Sequence, residues 1–361
     1  MKKAILWGIA ALAIFASCSK VETIEQQKEI NFEVANRIQT KAEGVKYANG
    51  PFGTYAWFNG TDEFMVNEKV NEVSGAWKTV DHTFYWPKTG YIEFVSYSPF
   101  QGTSNTAGTV PVITKDNISY DNVTIDNVDY MYADKVKCSE NVNEITDNAG
   151  GGTDSGYEGV PTLFRHALAK LAFVVKAPFL SYTDPATNTK TTWEMTLNSA
   201  KLSGIYNQGS CNLSLNSDGK SWVRPTGNVW TPSTGATTYD EQELVTSPIT
   251  IGTDAQSLDA LTNAFVMPQT FDGNQKLTIN ITIKTTLSNG KEITETYEKV
   301  IDLSDGITAI EMNKNMVYTI SVKPVKSIDP NNNDNPNDAT ITFDPAVADW
   351  EPITPSLTLE I

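Results

Sequence analysis

The sequence predicts an all-β protein. Three observations carry that expectation: short runs that alternate apolar and polar residues, turn-forming Gly, Asn, Asp and Pro recurring between them, and few 3.6-residue apolar periods after residue 20. In Leu277–Thr285 (LTINITIKT), Leu277, Ile279, Ile281 and Ile283 alternate with Thr278, Asn280, Thr282 and Lys284. One face therefore packs inward and the other meets water. Ser288-Asn289-Gly290-Lys291 supplies an Asn-Gly turn and Glu292–Tyr297 (EITETY) returns, which predicts a hairpin over Leu277–Ile301. Further strands are predicted at Tyr91–Tyr97, Leu171–Lys176, Val317–Val322 and Ala339–Phe343. Strands this short, with turns this frequent, point to sandwiches and away from a parallel α/β sheet.

A chain of 361 residues is long enough for two domains at roughly 100–200 residues each. Lys and Arg number 27 against 43 Asp and Glu, a net charge of −16 that opposes binding to phosphate backbones, so no nucleic-acid partner is expected. Two His (His82, His166) and three Cys (Cys18, Cys138, Cys211) leave little material for zinc sites or for Ser-His and Cys-His catalysis. Neither an enzyme, nor a cofactor, nor a metal site is expected. His82 stands beside Asp81 with no nucleophile motif near it, and His166 lies in an apolar run, where a packed residue is the expectation.

Lys2 and Lys3, an apolar run from Ala4 to Phe15 and the small pair Ala16-Ser17 predict a signal peptide over residues 1–17. Phe15-Ala16-Ser17-Cys18 resembles a bacterial lipobox, in which Cys18 takes the lipid and becomes the first mature residue; the alternative is an ordinary secretory peptide. Cys138 and Cys211 are expected as two thiols, with a disulfide as the alternative in an exported chain. Polar inserts lie at Gln101–Gly108, Asn141–Gly159, Ser181–Thr191, Asp218–Tyr239 and Asp329–Asp338. The glycine run 150–156 lacks the Gly-Lys-Ser/Thr of a phosphate loop, and DPNNNDNPND at 329–338 lacks the spaced carboxylates of an EF-hand, so both are expected as loops.

Both ends carry amphipathic strand patterns. Glu29–Val34 (EINFEV) places Ile30, Phe32 and Val34 on one face, with Arg37 and Lys41 just downstream as points for a trypsin-like protease. Ser356–Ile361 (SLTLEI) places Leu357, Leu359 and Ile361 on one face.

Phrases spaced along the chain resemble the fimbrillin family, the type V pilins and fimbrillin-like lipoproteins of Bacteroidales. They are Phe84-Tyr85-Trp86-Pro87 running into Tyr91–Pro99, Asp129-Tyr130-Met131-Tyr132-Ala133, Leu163–Leu171 (LFRHALAKL), Leu202-Ser203-Gly204-Ile205, Phe265–Thr270 (FVMPQT), and Ile341-Thr342-Phe343 with Asp349-Trp350. The resemblance implies two tandem transthyretin-like antiparallel β-sandwich domains and assembly by strand exchange. On that basis the chain divides into a signal peptide 1–17, a propeptide 18–41 carrying a removable first strand, an N-terminal sandwich 42–177 and a C-terminal sandwich 178–361. The expected pathway runs through lipoprotein-processing enzymes acting at Cys18, membrane attachment by the lipid, and cleavage by a surface protease after Arg37 or Lys41. Loss of the strand bearing Ile30, Phe32 and Val34 then opens a groove, which a strand bearing Leu357, Leu359 and Ile361 from another pilin subunit fills. Unlike donor and acceptor ends generate an open filament, and the implied setting is a fimbria at the outer membrane that supports adhesion. The alternatives are a non-polymerising anchor or tip subunit and a glycan-binding surface lipoprotein that uses its aromatic residues as a platform.

Overall fold

A computed structural model describes residues 28–36, 50–102, 110–125, 128–139, 142–145, 152–153, 159–215, 230–233, 242–258, 265–305, 308–324 and 339–349, with backbone pairing alone for 142–145, 152–153 and 339–349. No helix occurs among the described residues, as the alternating patterns require.

The first half is built on a ten-stranded sheet. Its order is β11 (Gly152–Thr153), β10 (Val142–Ile145), β9 (Val136–Ser139), β5 (Ile92–Ser98), β2 (Phe52–Phe58), β3 (Asp62–Val73), β4 (Ala76–Thr79), β1 (Phe32–Asn36), β12 (Val160–His166) and β8 (Met131–Ala133). Because β8 also pairs with β5, through Tyr97↔Tyr132 and Ser98↔Met131, the sheet closes into a ring running β5-β2-β3-β4-β1-β12-β8. Closure removes edges that would otherwise present unpaired backbone groups. Alternation then sorts side chains. Ile92, Phe94, Met131 and Ala133 point into the ring with Ile30, Phe32, Phe52 and Phe164, while Trp57, Val95 and Tyr132 point out.

The second half is a sandwich. One sheet holds β20 (Gln256–Ser257), β13 (Ala169–Lys176), β26 (Lys314–Pro324) and β27 (Ala339–Asp349), with β21 (Phe265–Val266) also on β13. The other holds β14 (Ser181–Thr183), β15 (Lys190–Ser203), β23 (Lys276–Thr286) and β24 (Glu292–Asp302), with β18 (Gln242–Glu243) and β19 (Ile249–Thr250) on β15. Leu171, Phe173 and Val175 with Met316, Tyr318 and Ile320 meet Trp193, Met195, Leu277, Ile279, Ile281 and Ile283 across the core. The expected hairpin is present as β23 and β24, in register from Lys276↔Asp302 to Thr286↔Glu292. Ser181–Thr191, read as a polar insert, opens instead as a hairpin whose turn is closed by Asn188 N–H donating to the Asp184 carbonyl at 2.8 Å. An aspartate at a turn start offers that closure with little apolar signal.

A four-stranded sheet joins the halves. It runs β17 (Trp230–Pro232), β16 (Gln208–Ser214), β7 (Asn117–Thr124), β6 (Val112–Thr114), and β7 comes from the first half while β16 comes from the second. A short pair, β22 (Gln269–Thr270) with β25 (Ala309–Ile310), completes the set. Ile118, Tyr120, Cys211, Leu213 and Trp230 of the shared sheet pack against the outward residues Trp57, Val95 and Tyr132 of the ring.

Both halves open on the same device: β1 lies parallel to β12, and β13 lies parallel to β26. The buried residues of β13 belong to the second core, so the change of core falls between His166 and Ala169.

Candidate functional site

The seam at which β1 closes the ring is the most distinctive place in the first half. Ile30 and Phe32, both singled out by alternation, are 1% and 4% exposed, and Val34 packs half-buried against the same core. The Phe32 ring sits edge-on to Phe52 at 5.7 Å and to Phe94 at 5.8 Å, and Phe52 in turn meets Phe164 at 5.2 Å. Edge-to-face rings place positive edge on negative face, and each fully buried Ile or Phe contributes about 1.5–3 kcal/mol.

The backbone pairing of β1 is unequal on its two sides. Towards β12 it is parallel and continuous, from Phe32↔Val160 to Asn36↔Phe164, and the Val160 N–H donates to the Asn31 carbonyl at 2.7 Å. Towards β4, among the described residues, it pairs through Phe32↔Trp77 alone. The strand therefore starts three residues later than the expected Glu29–Val34. Residues 28–30 pair elsewhere: Ile30 N–H donates to the Phe84 carbonyl at 2.9 Å, and Trp86 N–H to the Lys28 carbonyl at 3.0 Å. Alternation reports which residues point inward and is blind to a change of backbone partner between Ile30 and Phe32.

Beyond the β1 ladder, the pairing of β12 with β8 is flanked by charge. Arg165 of β12 makes a bidentate pair with Asp134, Nε to Oδ1 at 2.7 Å and Nη2 to Oδ2 at 2.9 Å, with both side chains 5% exposed. Burial opposes the guanidinium charge, but the hydrogen bonds and charge of Asp134 outweigh it and hold Arg165 above its ordinary value. Lys135 Nζ bridges Glu93 of β5 and Asp116 of the β6–β7 turn at 3.0 Å each. His166 Nδ1 lies 2.9 Å from an Asp129 carboxylate oxygen. The phrase 129–133 and the start of the phrase 163–171 are thus the two sides of one strand pair, β8 with β12, with Asp129–His166 and Asp134–Arg165 ion pairs beside it.

Cys18, Arg37, Lys41, Leu357, Leu359 and Ile361 lie outside the described residues. Cys138 and Cys211 are not joined in a disulfide and are buried in different cores, and burial pushes the Cys211 thiol well up. His82 is exposed and contacts Glu68 at 3.1 Å, an arrangement that lifts its protonation above the ordinary imidazole value through the hydrogen bond and charge of Glu68. No cluster of His, Cys, Asp and Glu able to hold a metal occurs among the described residues. Trp57, Trp86, Trp193 and Trp230 are buried in cores and offer no open platform to a sugar, while Trp222 and Trp350 lie outside the described residues. Trp77 and Gly159, which line the seam, carry no motif; only their placement beside Phe32 and Asn31 reveals them.

Residues 40–350 match the sequence profile of a family described as Fimbrillin-like. A search of curated proteins finds no significant match. Among solved structures, a fimbrial protein from Bacteroides vulgatus ATCC 8482 is 18% identical, with 90% of this chain and 100% of that one covered at a TM-score of 0.54. A candidate cell adhesion protein from Bacteroides uniformis ATCC 8492 is 18% identical over 90% and 99% of the two chains at a TM-score of 0.45. The fimbrial anchor protein Mfa2 from Porphyromonas gingivalis is 12% identical over 90% and 98% at 0.27. At these identities the first carries the fold, and the other two add no argument. With the profile running from ahead of β2 through the shared sheet and the sandwich to β27, the chain belongs to the fimbrillin-like family.

Proposed function

We propose that this chain is a structural subunit of a cell-surface fimbria, exported as a lipoprotein through Cys18, matured by cleavage after Arg37 or Lys41, and polymerised head-to-tail by strand exchange to support adhesion. One observation carries the reading: β1 closes the ring with a full ladder on one side and a single pairing on the other, immediately before two basic residues. Parallel ladders are slightly weaker per residue than antiparallel ones, so the seam is the natural place for the ring to open. Removing β1 would uncover Phe52, Phe94 and Phe164 together with the free ladder of β12, a surface suited to another strand. The occupant in this reading is the segment bearing Leu357, Leu359 and Ile361 of a sister subunit. Residues 18–41 then form the propeptide, and a trypsin-like surface protease and lipoprotein-processing enzymes are the transient partners. Because donor and acceptor surfaces differ, the contact is heterologous and propagates into a filament.

The test is to digest the purified full chain with trypsin, sequence the new N-terminus and follow particle length. New termini at Ile38 or Ala42 accompanied by a ladder of oligomers support the reading; an intact chain, or cleavage with no growth, overturns it. Leu357→Asp with Leu359→Asp should block growth after normal cleavage, and undiminished fibres from that variant would remove the donor role of the C-terminal segment.

A further inference from the structure

We propose that Gly159 determines which strand the slot takes: it keeps open the space for a backbone whose carbonyl, at the place of Asn31, is seated by the Val160 N–H on a strand running in the direction of β1. This rests on the reading of β1 as a removable strand. Gly159 immediately precedes β12, and a Cβ there would fall 2.7 Å from the Asn31 carbonyl oxygen, 3.0 Å from the Asn31 carbonyl carbon and 3.0 Å from that of Phe32. Its φ is outside the left-handed region, so no turn demands glycine at this position. The demand is space for a second backbone.

Neither side can give way cheaply. The Asn31 carbonyl is held by the Val160 N–H at 2.7 Å, Ile30 N–H is held by the Phe84 carbonyl at 2.9 Å, and the Phe32 ring is wedged between Phe52 and Phe94. A strand running the other way would meet the β12 ladder with its N–H and C=O groups in the antiparallel spacing and lose the Asn31 carbonyl contact.

The direction has a consequence for assembly. β12 continues through Ala167 and Leu168 straight into β13, so the far end of the slot abuts the second half and the end at Gly159 is the remote one. A C-terminal donor strand is tethered at its own N-terminal side. Lying parallel to β12, it leaves the slot beside Gly159, away from the acceptor's second half, and the two subunits stack end to end. Reversed, its tether would emerge against Ala167, which is already engaged by the Tyr130 carbonyl and by the Trp230 indole.

The test uses the full chain with Gly159→Ala. Amide exchange at residues 32–36 should quicken roughly tenfold or more while β15 and β23 keep their protection. Unchanged exchange at 32–36 overturns the proposal. A second arm adds synthetic peptides to trypsin-treated wild-type protein: the peptide of residues 28–36 should bind and halt oligomer growth, and the same residues in reversed order should not. Equal binding of the two peptides, or of neither, overturns the proposal even if Gly159→Ala fails to fold. If Gly159→Ala loosens β1 but wild-type protein never assembles after cleavage, the polymer reading fails and the steric role of Gly159 stands.

Discussion

Phe32 holds β1 by packing and Arg165 holds the β8–β12 region by charge, and each has its own expected cost. Phe32→Ala removes a ring that is packed on two sides and leaves a cavity, a loss of about 3–5 kcal/mol that chemical denaturation would measure. Asp134→Ala leaves the Arg165 charge buried without its partner, with an expected loss of about 3–5 kcal/mol, whereas replacing both by apolar residues of similar volume should recover most of it. Three carboxylates held below their ordinary value, Asp116, Asp272 and Asp302, set a pH dependence, of which the first and last are the ion-paired ones. For Asp116, burial raises the value but hydrogen bonds from Lys115 and Lys135 outweigh it; Asp302 is held at about 2 by hydrogen bonds from Lys276 and Ser304. Both lie below their unfolded value of 3.8, so their contribution is complete above that pH and is lost as pH falls through the folded value. The thermal midpoint should therefore drop on acidification through this window. Asp302→Asn should make that drop shallower by a small amount, because the pair is on the surface and screened.

At the scale of the strand, β1 and the β23–β24 hairpin mark the limits of what alternation can say. The hairpin pattern is local, so its register follows from the Asn-Gly turn, where Gly290 has φ of 80° and its N–H donates to the Leu287 carbonyl at 2.9 Å. Gly290→Ala should cost about 1–2 kcal/mol through left-handed strain, without altering the rest of the sheet. For β1, the inward residues Ile30, Phe32 and Val34 are legible in the sequence, but its parallel neighbour lies more than a hundred residues away and is not. Native-state amide exchange should find β1 opening before β2 and β5, which are paired on both sides. Equal protection across the ring would show that the seam is no weaker than its walls.

At the scale of the molecule, the two halves are joined by a sheet that neither owns. The β7–β16 ladder and the core formed by Tyr120, Cys211, Trp230 and Met267 tie the ring to the sandwich. The Trp230 indole N–H donates to the Ala167 carbonyl at 2.7 Å, at the point where the chain passes from one core to the other. Thermal unfolding should therefore be a single transition, with equal calorimetric and van't Hoff enthalpies. Trp230→Phe strands that carbonyl at a cost of about 1–3 kcal/mol and should begin to separate the halves into two steps. Two resolved transitions in the unsubstituted protein would mean that the shared sheet does not couple them.

Alternation and turn chemistry were enough to establish an all-β chain, the faces of its longer strands and the apolar set Ile30, Phe32 and Val34, because side-chain direction along a strand repeats every two residues and needs no partner to be read. Partner choice is different. Ring closure through β5 and β8, the parallel seat of β1, the common sheet of β7 and β16 and the space kept open at Gly159 all depend on which distant backbones meet, and that is decided only when the cores pack.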